Sequence, residues 1–238
     1  MKKTILTKAI SIQLCAALAF TALVFTACAS KTDNTNFAKN ETMGTHELLD
    51  SSRKSALQST KETNRGESKR LAKSGIESAE RCLMYAPENA GCHYWRAVNT
   101  GIYYSIRIIG YQKGIKQMID DCESVIAIDP TYDESGAYRM LGRIYTQLPQ
   151  TGVRPDSITR DILKAEDYLK EAVKLSPDYP ENHIALSDNL FAQQKIIEAL
   201  SALSQAKQLA PRWKHDVSYA EWNKEINGLE KKLAKANN

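Results

Sequence analysis

The chain has 238 residues, 42% hydrophobic and 25% charged, with a formal net charge of +4. That length is enough to bury a sizeable core, and so balanced a charge, with no arginine-rich arm and no zinc-finger spacing, speaks against a nucleic-acid partner. Three of the positive charges, Lys2, Lys3 and Lys8, lie in a stretch that holds no acid before residue 28, so beyond residue 27 the net charge falls from +4 to +1.

Those lysines precede AISIQLCAALAFTALVFTAC, a mostly apolar stretch that ends in small residues at a cysteine. This is the layout of a secretory signal over residues 1–27. The stretch is also about long enough to cross a bilayer, so a retained membrane span is the competing reading. FTAC resembles the lipobox of bacterial lipoproteins, with Phe25 where that family usually has Leu. The resemblance implies that Cys28 is lipidated, becomes the first mature residue and holds the protein to a membrane surface through its acyl chains. The overlapping ACA is alternatively an ordinary signal-peptidase site before Ser30. With Ala29 and Ser30 after a lipidated Cys28, the resemblance gives no acidic inner-membrane retention signal and so implies the periplasmic face of the outer membrane, in a cell that has one, with a soluble exported protein as the alternative. The polar run SKTDNTNFAKN then reads as part of a flexible tether over residues 28–45.

From residue 46 to 238 the chain reads as a helical repeat domain. Four proline-containing turns, MYAPEN, AIDPTY, LSPDYP and LAPRWK, each close an amphipathic helix. Pro177 and Pro211 lie 34 residues apart with two helical patterns between them, roughly 181–193 and 195–209. That is the period of the tetratricopeptide repeat. Leu186, Ala199, Leu203, Ala206 and Pro211 give its large, small, large, small and closing-proline positions. Antiparallel helices pack closely where a small side chain faces a large one. In the preceding unit Tyr138, Leu141, Gly142 and Tyr145 supply the first helix, and Ala165, Leu169, Ala172 and Pro177 the second. The clear repeats are thus about 135–177 and 180–213. LPQTGVRPDSITR between the two helices of the first cannot continue a helix. Repeats over about 67–130 are degenerate. Trp95, Val98 and Ile102 match a first helix that Ile109 extends, but Met118 and Val125 stand where small residues belong. A leading helix spans about 67–85, with 46–62 as a weak partner, and a lysine- and glutamate-rich helix at about 216–235 reads as the polar cap of the stack. No stretch alternates as a strand would, so the fold class is all-α.

The segments HYWRAVNTGIYY, DPTYDESGAYRMLGRIYTQLP and LSPDYPENHIALSDNL together resemble the T-component (TatT-type) lipoproteins associated with TRAP transporters. The resemblance implies a lipoprotein that forms a small homo-oligomer and docks a periplasmic solute-binding protein carrying organic acids. The alternative is an envelope-assembly or structural scaffold that binds other cell-surface proteins. A carrier of lipids or apolar small molecules would need an internal tunnel.

First helices of such repeats line the concave face. Aligned on their packing residues, Arg96, Thr100 and Tyr103 fall in register with Arg139, Arg143 and Thr146, and Arg107 continues the stripe. Four guanidinium groups in one groove would favour a carboxylate. The competing reading pairs them with local acids: Asp120, Asp121 and Glu123 on the next helix, and Asp188 on the last unit. Asp188 and Phe191, with Ile184, continue the same face. Crowded aromatics such as Tyr94, Trp95 and Tyr104 are more often core than contact, and Trp95 is assigned to the core.

In an oxidising compartment the remaining thiols are informative. Cys82 and Cys92 stand level about Pro87, so a disulfide is geometrically feasible; the alternative is that they, like Cys122, are buried thiols. Neither the four histidines nor the cysteines have metal-ligand spacing, and there is no phosphate loop, GxSxG elbow or HExxH pair. Asp129, Asp133 and Glu134 lack the calcium-loop spacing, and Asp133 is read as a helix cap. No enzyme, metal or cofactor is expected.

Overall fold

The computed structural model describes the backbone of residues 34–105 and 110–236, with side chains from residue 44 onward. The signal stretch, Cys28, Arg107 and Ile109 lie outside the described residues. Among those described there are nine α-helices and no strand: α1 (Asn34–Lys61), α2 (Arg65–Tyr85), α3 (Ala90–Ser105), α4 (Tyr111–Ile128), α5 (Tyr132–Gln147), α6 (Ile162–Leu175), α7 (Pro180–Ala192), α8 (Ile196–Leu209) and α9 (Tyr219–Ala236), with a 3-10 turn over Ala210–Trp213 before the last.

Local chemistry sets the boundaries. Asn64 starts α2 by accepting from the Gly66 and Glu67 amides at 2.9 and 3.2 Å, and Asp161 starts α6 by accepting from Lys164 at 3.0 Å. Pro180 occupies the first turn of α7, where its missing N–H costs nothing. At its near end α1 differs from expectation, since the helix begins at Asn34 rather than near residue 46. Once its 52–59 face packs on α2, extending a helix toward its N-terminus costs little per residue. Ser52, Ser55, Ala56 and Ser59 are the small residues buried on that face.

Helices pair antiparallel as α1/α2, α3/α4, α5/α6 and α7/α8, and the odd-numbered helices stand in a row in which each touches the next. One core cluster joins α1 with α3 to α6 around Trp95, Leu141 and Ile144, and a second joins α7 to α9 around Ile184, Leu203 and Trp222. In the clear repeat the small-against-large rule holds literally: a Cβ on Gly142 would sit 2.3 Å from Leu169 Cγ. The degenerate unit keeps a glycine of its first helix against a large residue of its second. Met118 fills the position meant for a small residue, and the space comes from Gly101 on the facing helix, where a Cβ would sit 2.9 Å from Met118 Cε.

Candidate functional site

A groove of about 1220 Å³ runs across the row of odd helices, reached by side chains of α1, α3, α5, the start of α7 and α9, with Tyr111, Ile115 and Met118 of α4 at its floor. Most of the lining is apolar: Leu57, Val98, Met140 and Ile144 join Tyr94, Trp95 and Trp222.

At the α5 end the groove holds a charge cluster. Arg139 is 5% exposed. Its guanidinium lies 3.4 Å from both Asp133 and Glu181, donates to Asn182 at 2.9 Å and to the Glu134 carbonyl at 3.1 Å, and stacks 4.8 Å from the Tyr179 ring centre. Arg143 reaches Glu181 at 3.4 Å and Glu225 at 2.9 Å, while its buried Nε has no partner. Trp222 donates from its indole to Glu181 at 3.2 Å. Burial alone would raise the Glu181 carboxyl, but Arg139 and Arg143 outweigh it and hold the group below the usual carboxylate range.

The backbone beside this cluster is unusual. Asp133, Glu134 and Ser135 have φ of 52°, 54° and 59°, three consecutive non-glycine residues in the left-handed region. Asp133 makes no capping bond and is not the cap expected from sequence; Thr131 takes that place and Asp133 is turned toward Tyr94, whose hydroxyl donates to it at 2.6 Å. Such a conformation persists only where its surroundings over-determine it. Here they do: Arg139 and Asn182 both donate to the Glu134 carbonyl, and the Ser135 hydroxyl meets that of Ser176 at 2.9 Å.

Of the residues expected to line one groove, the structure brings together Arg139 and Arg143. Arg96 points elsewhere and is held by Asp121, with Nη2 to Oδ1 at 2.6 Å, alongside His93 at 3.0 Å and Gln117 at 3.3 Å. Thr100 is buried. Tyr103 is partly buried, with the Lys69 ammonium 5.3 Å from its ring centre. Thr146 is buried, donating to Gly142 and accepting from Asn189, both at 2.8 Å. Asp188 faces Lys232 at 3.9 Å, and Phe191 packs on the second core cluster. On α3 the groove is lined instead by Tyr94, Trp95, Val98, Gly101, Tyr104 and Ser105, and Arg96 is not among them.

Sequence reasoning also passed over α9, read only as a polar cap. Its Trp222, Ile226, Leu229 and Leu233 are all buried, and their spacing of four, three and four was legible as a packing stripe. Trp222 and Glu225 of that helix line the groove.

Cys82 and Cys92 are joined in a disulfide with Cα atoms 6.0 Å apart, tying the end of α2 to the start of α3. Cys122 is a buried free thiol, and burial pushes its pKa up. Among the described residues no group of three His, Cys, Asp or Glu side chains could hold a metal ion, and no helix is long and apolar enough to cross a membrane.

Among solved structures, the chain is similar to a thermophilic TPR protein of Thermus thermophilus, with 18% identity and a TM-score of 0.50 over 69% of this chain and 82% of that one. It is also similar to the MamA protein, with 16% identity and a TM-score of 0.47 over 81% of this chain and 90% of that one. No family model and no curated protein matches the sequence. The first likeness is one of fold: the chain has the all-α, tetratricopeptide-like architecture of antiparallel helix pairs stacked into a short solenoid.

Proposed function

We propose that the protein is a non-catalytic adaptor whose groove receives a segment of a partner protein, and that it works outside the cytoplasm, anchored through Cys28, on a periplasmic solute-binding protein of a TRAP-type uptake system. The observation that carries the docking part is the groove itself. Its volume of about 1220 Å³ exceeds the roughly 300–1,000 Å³ typical of small-molecule pockets. A trough shared by six helices suits a chain segment, and tetratricopeptide-like scaffolds present such concave surfaces. Because Arg96, Arg139 and Arg143 are already paired with acids, the apolar wall supplies the contact energy in this reading. The Cys82–Cys92 bond is in keeping with an oxidising compartment.

The test is photo-crosslinking in the cell. A photoreactive residue replaces Leu57 or Ser105 in the groove, or Ile197 on the exposed face of α8, and captured proteins are identified by mass spectrometry. One dominant solute-binding protein, captured from the groove positions and not from position 197, supports the adaptor. Several envelope proteins captured equally from all three positions overturn it in favour of a general scaffold.

A further inference from the structure

The walls of the groove carry opposite charges. Because the odd helices stand in a row from α1 to α9, those two helices form opposite sides of the trough. The α1 side contributes Arg53 and Lys61, both exposed, while the α9 side contributes Asp216 and Glu221. Between them Asp133, Arg139, Arg143, Glu181 and Glu225 are taken up with one another. Among the described residues Arg53, Lys61 and Asp216 have no ion-pair partner. Arg53 lies 5.8 Å from the Trp95 ring centre, Asp216 accepts from the Ser218 amide at 2.7 Å, and Glu221 is met by the exposed Lys224 at 3.4 Å. Lys61 closes α1 and Glu221 opens α9, where helix ends supply roughly half a charge of opposite sign. That attenuates each wall without cancelling it, and Arg53, well inside α1, is not attenuated.

We propose that the groove selects a segment in which an apolar run carries an acidic residue at one end and a basic residue at the other, seated with the acid against α1 and the base against α9. The inference rests on the reading of the groove as a docking site and adds its polarity. The apolar run of the segment meets Trp95, Val98, Met140 and Ile144, beside a charge cluster already satisfied within the protein, and its ends reach the two rims. There, Arg53 and Lys61 on one rim and Asp216 and Glu221 on the other meet partners of opposite sign, and a segment with the same sign at both ends is opposed at one rim.

The experiment uses the full chain in detergent and three fluorescent peptides that share one Leu- and Phe-rich core. One ends in Glu and Lys, one in Ser at both ends and one in Lys at both ends; binding is followed by anisotropy at low and high salt. The Glu/Lys peptide should bind about five- to tenfold more tightly than the Ser peptide at low salt, an advantage that fades as salt screens the rims. In the double variant Arg53→Glu with Lys61→Glu, preference should move to the Lys-ended peptide. In Asp216→Asn with Glu221→Lys, the Glu/Lys peptide should lose its advantage over the Ser peptide. The altered side chains other than Asp216 are exposed, and Asn keeps the acceptor for the Ser218 amide, so circular dichroism should match the parent. Equal binding of all three peptides overturns the polarity and leaves the docking site standing. Binding of none overturns both.

Discussion

Arg143 of α5 and Glu225 of α9 meet at 2.9 Å across 82 positions of sequence. Glu181 at the start of α7 stands between them, shared by Arg143 and Arg139 at 3.4 Å each. This cluster ties three odd helices together along one side of the groove. The arginines that look from sequence like hooks for an acidic ligand are therefore internal braces.

Removing one brace should be costly because it strands the others. Arg139→Ala leaves Glu181 short of a cation and Asn182 and the Glu134 carbonyl short of a donor. Breaking one side of a buried ion pair costs about 3–5 kcal/mol. A lysine cannot reproduce the planar fork, so Arg139→Lys should recover only a minor part of the loss. Glu225, about a third exposed at 32%, should be far more tolerant when changed to Gln. Urea-unfolding midpoints of the three variants check the order; an Arg139→Ala protein as stable as the parent would contradict the brace.

Acid should act first through two carboxylates. Burial raises Glu166, but hydrogen bonds from Lys170, Lys195 and Gln193 outweigh it and bring the group to about 2. Glu181 is likewise lowered by its arginines. A carboxyl depressed in the folded state contributes stability that is fully present above its unfolded value, near 4.5, and is lost as pH falls through the folded one. Thermal midpoints should therefore hold between about pH 7 and 5 and then fall toward about pH 2. In Glu166→Gln the midpoint should be lower at neutral pH and its acid fall shallower. An unchanged slope below pH 4.5 would show that the Lys170 and Lys195 bonds contribute nothing.

The Cys82–Cys92 bond closes a short loop, with a sequence separation of 10. Loop entropy in the unfolded chain puts its contribution at about 2–3 kcal/mol. Replacing both cysteines with Ser should lower the unfolding free energy extrapolated from guanidinium titration by about that amount, and dithiothreitol should lower that of the parent but not of the variant. Cys122, buried and distinct from the bond, is left intact as the internal control. Identical midpoints for parent and variant under oxidising conditions would remove the disulfide from the account of stability.

The sequence by itself determined the architecture. Prolines at repeat spacing and the alternation of small and large residues at Ala165, Leu169 and Ala172 depend on residues three, four or about 34 positions apart, and such spacings are read directly from the chain. The stripe of Trp222, Ile226, Leu229 and Leu233 was equally legible once polarity was set aside. What only the tertiary structure decided was which face of each helix borders the groove and what each arginine holds. In the degenerate unit the space for Met118 comes from Gly101 on the facing helix, and Arg96 is held by Asp121 of α4 rather than presented to the groove. The partners of Arg139 and Arg143, Glu181 and Glu225, come from α7 and α9. Helical periodicity is a local property, whereas the pairing of buried charges is set by how distant helices stack, and no spacing within one helix encodes that.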